Sequence, residues 1–297
     1  MAEIMDGEAL AASLREDLQG AVDRLAEAGH RPTLATVLMG DDPASETYVS
    51  MKQRDCEELG IEGRHVDVDG DAPAERLYEV VEELNEDSEV DGCLVQSPLP
   101  DHVDYESVIR EVDPLKDVDG FHPENVGRLV RGDPRFRPCT PHGIQKLLTE
   151  YDVATDGADV TIVGRSNIVG KPLANLLARR APDGHATVTL CHSHTDDLAA
   201  KTRGADIVVG ACGVPELIDA EMLAEGAVVV DVGITRVDAD TEKGYELVGD
   251  VDFESAREVA SLITPVPGGV GPMTRAMLMY NTVRAASRDA GVAVELP

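Results

Sequence analysis

The sequence predicts an α/β protein of two domains, and three observations carry that prediction. Short runs rich in β-branched residues alternate with amphipathic stretches along the chain. The alternation comes as two series, separated by an aperiodic Pro-, Gly- and Arg-rich segment at residues 132–143. The length, 297 residues, suits two domains of roughly 150 residues, each able to bury a core.

Residues 33–39 read as a strand after Pro32, and residues 43–59 as a helix that stops at Gly60. Residues 64–68 alternate as a short strand does. Residues 74–85 are helical, with Leu77, Val80, Val81 and Leu84 on one face, and residues 92–96 form a buried strand that stops before Pro98. A βαβαβ order of this kind makes a parallel sheet with helices on its faces. In the second series, residues 159–163 are a strand and 170–180 a helix. Residues 187–191, 206–209 and 228–231 are buried strands, and 234–237 with 245–248 form a hairpin. After a loop at 264–272, residues 273–286 make a long amphipathic helix.

The chain carries 57 Asp and Glu against 26 Lys and Arg, a net charge of −31. That excludes nucleic acid as a partner, because phosphate binding needs a basic face, and it excludes an anionic membrane surface. High charge with 3% aromatics resembles disorder, but the periodic apolar blocks set disorder aside. Arginine outnumbers lysine, 20 to 6. Carboxylates spread over a surface repel one another unless molar salt shortens the Debye length to about 3 Å. The composition therefore reads as that of a halophile's protein. The first 18 residues hold neither a basic region nor an apolar run, and no stretch is long enough to span a membrane. Five scattered cysteines without a C-x-x-C pair fit reduced thiols in a cytoplasmic protein.

Four segments carry candidate chemistry. At residues 160–177 a strand runs through Gly164, Arg165 and Ser166 into a helix that starts near Gly170. This strand–turn–helix suits an anion at the helix N-terminus. It lacks the G-x-G-x-x-G fingerprint, so an ordinary turn with a surface arginine is as good a reading. Arg165, and the absence of an acidic residue at the end of the next strand, favour NADP over NAD. Cys191, His192 and His194 are metal-capable types, but neighbours on a strand point to opposite faces, so no metal is expected. Tyr48 and Lys52, at i and i+4, project from one helix face. A snorkelling lysine is the plainer reading, but where lysine is so scarce one in a motif-like stretch points to function, and a desolvated lysine can act as a base. Lys116 and Lys171 are scarce in the same sense. Gln96 ends a buried strand. In the loop at 113–123, Asp119 is placed to read paired N–H donors, while a solvated turn suffices for Asp117.

Taken together these segments resemble the bifunctional methylenetetrahydrofolate dehydrogenase/methenyltetrahydrofolate cyclohydrolase family. The matching stretches are YVSMK (48–52), GCLVQSPLP (92–100), PLKDVDGFHPENVGRL (114–129), PCTPHGI (138–144), VGRSNIVGKP (163–172), CHSHT (191–195), DVGI (231–234), GDVDF (249–253) and TPVPGGVGPMTRAML (264–278). They span nearly the whole chain. The resemblance implies two α/β domains around a cleft: residues 1–139, with the helix of 273–297 packing back on them, and a Rossmann-like, doubly wound NADP domain over 140–272. It implies a homodimer and a place in one-carbon metabolism and purine biosynthesis. It implies oxidation of 5,10-methylenetetrahydrofolate by NADP, then hydrolysis to 10-formyltetrahydrofolate. By matching motif, Lys52 is the catalytic lysine, Gln96 tunes it, Tyr48 packs beside the folate ring, and Asp119 binds the pterin. Gly164, Arg165, Ser166, Ser193 and Ile234 line the NADP site. The loop with Pro265, Pro267, Gly268 and Gly269 closes over the folate side.

Both NADP and a folate are anions, which the −31 charge repels. Arg165 and the run Arg128, Arg131, Arg135 and Arg137 are candidates for local relief, although the run also suits a structural role. The expected outcome is that KM for NADP⁺ falls and melting temperature rises from low salt to molar KCl. Optima for both at ordinary salt contradict the salt-adapted reading.

Overall fold

The computed structural model describes residues 1–241 and 244–297. In chain order the elements are β1 (Glu3–Ile4), α1 (Gly7–Glu27), β2 (Thr33–Met39), α2 (Pro43–Leu59), β3 (Glu62–Val68), α3 (Ala74–Glu86), β4 (Gly92–Val95), α4 (Tyr105–Glu111) and α5 (Pro123–Val130). There follow α6 (Cys139–Glu150), β5 (Asp159–Val163), α7 (Gly170–Ala178), β6 (Thr187–Cys191), α8 (Leu198–Arg203), β7 (Ile207–Gly210) and β8 (Val228–Asp231). The last are β9 (Thr235–Asp238), β10 (Tyr245–Val248), α9 (Phe253–Val259), β11 (Leu262–Ile263) and α10 (Val270–Ala290). The chain forms two compact units, Ala12–Cys139 with Arg275–Pro297, and Met1–Ala11 with Thr140–Thr274.

The first unit holds a parallel sheet in the order β3–β2–β4. Its central strand, TLATVLM, is buried at every position, whereas β3 alternates as an edge strand does. Ala35, Val37 and Met39 pack with Leu77, Val80, Val81 and Leu84 of α3 and with Val108 and Val112. The local signals of α2 are complete. The Asp42 side chain accepts from Ser45 N at 2.8 Å, Pro43 opens the helix, and Gly60 closes it in the left-handed region at φ 75°.

α2 is also fastened from below. Asp55 is buried and accepts twice from Arg275 Nη1 on α10, at 2.8 and 2.7 Å, with Arg15 Nη1 of α1 at 3.9 Å. Burial pushes the Asp55 carboxyl above its ordinary value, against the pull of Arg275 and Arg15. Desolvation thus consumes much of the Coulombic gain, as in other buried ion pairs.

The second unit holds a parallel sheet in the order β1–β11–β8–β7–β5–β6. Strand order reverses at β5, with β6 on one side and β7 on the other. That is the doubly wound pattern, and its crevice lies beyond the carboxyl ends of β5 and β7. Val163, Cys191, Val208, Val229 and Ile263 fill this core. The hairpin of β9 and β10 pairs Thr235 with Val248, while Glu242 and Lys243 in its turn lie outside the described residues. Among the described residues no helix is long and apolar enough to cross a membrane.

One boundary needs correction. The sequence reading assigns residues 1–11 to the first domain, but β1 pairs with β11 and joins the second unit's sheet. A two-residue strand has no periodicity to reveal it.

The Asp55 contact makes a stability prediction. Asp55→Ala leaves two arginines without their carboxylate and is expected to cost about 3–5 kcal/mol in urea unfolding. A loss below about 1 kcal/mol shows that this contact does not fasten α2.

Candidate active site

Lys52 lies one turn beyond Tyr48 on α2, and Gln96 follows the last residue of β4. Lys52 Nζ donates to Gln96 Oε1 at 2.9 Å, and Gln96 Nε2 donates to the Ser97 carbonyl at 2.6 Å. The second bond fixes which end of the amide faces the lysine. Burial lowers the Lys52 ammonium's pKa, and the neighbouring Asp119, Cys139 and Cys56 pull it back up. Asp119 is pushed up to about 6, by burial first and by Asp117 in addition, while Lys52 and a hydrogen bond with Cys139 oppose the rise. Cys56 is pushed up to about 12 and Cys139 well above its ordinary value, both mainly by burial. The thiols are therefore neutral S–H groups rather than nucleophiles. Tyr48 is 40% exposed and presents its ring outward.

The loop that delivers Asp119 is bolted on both sides. Lys116 Nζ donates to the carbonyls of Leu84, Asn85 and Asp87, at 2.8, 2.8 and 2.7 Å. It thereby caps the carboxyl end of α3. Asp117 accepts from Phe121 N at 3.2 Å, His122 N at 2.8 Å and Asn125 Nδ2 at 2.7 Å. Asp117 is thus a buried organiser of the turn and not the solvated turn residue that its sequence suggests. Asn281 on α10 donates to the carbonyls of Val118, at 2.7 Å, and Arg137, at 2.9 Å, and reaches Cys139 Sγ at 3.7 Å. Cys139 and Asn281 escape the sequence reading because they are ordinary residue types far from the motif they support. Two arginines of the run are likewise engaged in structure. Arg128 pairs with Asp133 at 2.5 Å, and Arg135 with Glu124 at 2.6 Å and Asn125 Oδ1 at 2.7 Å.

In the second unit the remaining predicted residues follow carboxyl ends of parallel strands, so one sheet edge gathers them. Gly164, Arg165 and Ser166 follow β5, Ser193 follows β6, Ile234 follows β8, and Pro265, Pro267, Gly268 and Gly269 follow β11. Gly164 and Gly170 let the turn and α7 approach closely. A Cβ at Gly164 would lie 2.0 Å from the Ala211 carbonyl oxygen, and one at Gly170 2.1 Å from that of Gly164. Ser166 Oγ accepts from Val169 N at 3.1 Å and Gly170 N at 3.4 Å, capping α7. Lys171 Nζ is bonded to Asn167 Oδ1 at 2.6 Å. Glu8 N donates to the Gly268 carbonyl at 3.0 Å, which ties the 265–269 loop to the first turn of α1. Cys191 is buried, and His194 N and His192 Nδ1 close a local turn at 3.2 Å. Among the described residues no group of three or more His, Cys, Asp or Glu could hold a metal ion.

Comparison with known proteins gives two family matches that follow one another along the chain. Residues 5–119 match the model of the tetrahydrofolate dehydrogenase/cyclohydrolase catalytic domain, and residues 138–290 that of the family's NAD(P)-binding domain. The chain belongs to the tetrahydrofolate dehydrogenase/cyclohydrolase family. It is 70% identical to the bifunctional protein FolD of Natronomonas pharaonis over the full length of both chains. The crystal structure of the bifunctional FolD enzyme from Campylobacter jejuni is 45% identical, with a TM-score of 0.92, over 97% of this chain and 99% of that one. That of the Trypanosoma brucei enzyme, complexed with NADP cofactor and inhibitor, is 39% identical, with a TM-score of 0.91, over 97% and 98%. Like the rest of this family, the chain pairs a catalytic domain with a Rossmann-like NAD(P)-binding domain, and it is a methylenetetrahydrofolate dehydrogenase/cyclohydrolase.

The environment of Asp119 makes a pH prediction. Because its pKa is raised on folding, its contribution to stability is full below about pH 4 and is lost as pH rises through about 6. Asp119→Asn removes that loss. The melting temperature of the variant relative to wild type should rise between pH 4.5 and pH 8, by the equivalent of about 2 kcal/mol. A difference that does not change with pH contradicts the assignment.

Proposed function

We propose that Lys52 is the base of the cyclohydrolase step and that Gln96 and Asp119 set its protonation. The bond from Lys52 Nζ to Gln96 Oε1, in surroundings that disfavour the ammonium, carries this reading. NADP⁺, when bound, takes hydride from the methylene carbon of 5,10-methylenetetrahydrofolate and leaves the 5,10-methenyl cation. An ammonium roughly 4 Å from that cation would cost about 4 kcal/mol in a partly desolvated site. A neutral amine avoids that repulsion. In its neutral state Lys52 can take a proton from the water that attacks the methenyl carbon. Gln96 Oε1 accepts from the amine and keeps it aimed. Asp119 binds the pterin's paired N–H donors, and Tyr48 offers its exposed ring face to the folate ring. The hydroxyl adduct then collapses: its C–N5 bond breaks, N5 takes the proton held by Lys52, the hydroxyl proton leaves to water, and the carbon stays on N10 as the formyl group of 10-formyltetrahydrofolate.

On the cofactor side, the N-terminus of α7 and the exposed Arg165 lie at the crevice where the strand order reverses. These residues fit a dinucleotide, with Arg165 and Ser193 toward the 2′-phosphate and Gly164, Ser166 and Ile234 along its path. Pro265, Pro267, Gly268 and Gly269, in the loop after β11, are assigned to substrate binding by their match to the family motif. The folate domain is then 12–139 with the tail from 275, and the cofactor domain 140–274 with residues 1–11. We further read the protein as a cytoplasmic homodimer adapted to high salt. The −31 charge supports the salt adaptation, and the homodimer and compartment are carried over from the family resemblance.

The test is Lys52→Met, assayed in molar KCl. Hydrolysis of methenyltetrahydrofolate is expected to fall at least a thousandfold, with the melting temperature kept. Hydrolysis at the wild-type rate removes Lys52 from the mechanism.

A further inference from the structure

Two buried carboxylates in the second unit have no role in the chemistry above. Asp231 ends β8. Its Oδ1 accepts from Gly233 N at 3.0 Å and Asp250 N at 2.9 Å, and its Oδ2 accepts from Val251 N at 2.9 Å. Asp250 is fully buried, and its Oδ2 accepts from Cys212 N at 2.6 Å and Gly213 N at 3.0 Å. Asp250 Oδ1 is buried and has no hydrogen-bond partner. Leaving a carboxylate oxygen unpaired in the interior is costly.

The packing around the pair is made for it. A Cβ at Gly233 would lie 2.4 Å from Asp250 Oδ1, and a Cβ at Gly249 1.8 Å from Asp231 Oδ2. The glycines of DVGI and GDVDF thus leave room for the two side chains. What Asp250 holds is the segment that follows β7. Ala211 N donates to the Val163 carbonyl at 2.8 Å, and the Ala211 carbonyl packs against Gly164. Cys212 and Gly213 therefore form the wall of the crevice between the carboxyl ends of β5 and β7. Both of their N–H groups are spent on Asp250. The wall is fixed from behind, and one side chain holds both N–H groups.

We propose that Asp250 is a positioning residue for the dinucleotide site, setting the path of Cys212–Gly213 beside Gly164, with Asp231 holding Asp250 in turn. This rests on the reading of that crevice as the cofactor site. Asp250 acts through the loop and not by touching the dinucleotide, so its loss separates the two activities. Dehydrogenation needs NADP⁺, whereas hydrolysis of methenyltetrahydrofolate does not.

The experiment compares Asp250→Ala, Asp250→Asn and wild type in molar KCl, measuring both activities. Asp250→Ala is expected to raise KM for NADP⁺ at least tenfold, with dehydrogenase kcat within threefold and the hydrolysis rate within twofold. Asp250→Asn keeps an oxygen that can accept from Cys212 and Gly213, so its KM should stay within threefold of wild type. An unchanged KM in Asp250→Ala overturns the proposal. So does a parallel fall of both activities in both variants, which marks a merely structural residue. A wild type that hydrolyses methenyltetrahydrofolate but binds no NADP⁺ overturns instead the reading of the crevice.

Discussion

An amine on the inward side of α2 must function where water is scarce, and much of the first unit is arranged around that requirement. Burial removes solvent from the amine, which disfavours the ammonium. Gln96 gives the amine a neutral acceptor, which orients it without adding charge. Asp119 is the counterweight. Its carboxylate favours the ammonium, but the same burial raises its own pKa. Two opposite groups whose burial pushes both toward neutrality can exchange charge with little change in net field. In the mechanism we propose, that property serves a substrate that becomes a cation and then loses the charge.

Such a site needs rigid walls, and buried polar bonds supply part of them. Lys116, Asp117 and Asn281 each bind several backbone groups, and together they fix the loop on either side of Asp119. Asp55 and Arg275 fix α2 to α10. In the second unit, Asp231 and Asp250 serve the turn after β7 in the same way. A carboxylate or ammonium that holds two or three backbone groups sets a loop path more sharply than a methyl group does. It also costs stability when one partner is lost.

How much of this was legible follows from the type of signal. β2, β5, β6, β8 and α2 were read at their observed bounds, because apolar runs, capping residues and glycine stops are local. The proposed pair Lys52 and Gln96 stands out in the sequence because lysine is scarce and a strand-end amide is conspicuous, and the fold joins the two by a hydrogen bond. α4, α5, α8 and α9, at six to eight residues, give too few turns for a period to show. Asp117 read as a turn residue because nothing local tells a solvated aspartate from one holding three donors 4–8 residues ahead. Cys139 and Asn281 lie 20 and 162 positions from Asp119, and only the folded chain unites them.

The proposed hydrolysis depends most directly on the protonation of Lys52. With six lysines in the chain, ¹⁵N-lysine labelling gives a spectrum simple enough to titrate each ammonium, and Lys52→Arg assigns its signal. In molar KCl the Lys52 signal should titrate clearly below the ordinary lysine value of about 10.4. A titration at or above that value contradicts the central claim, because the amine would then stay charged throughout the cycle.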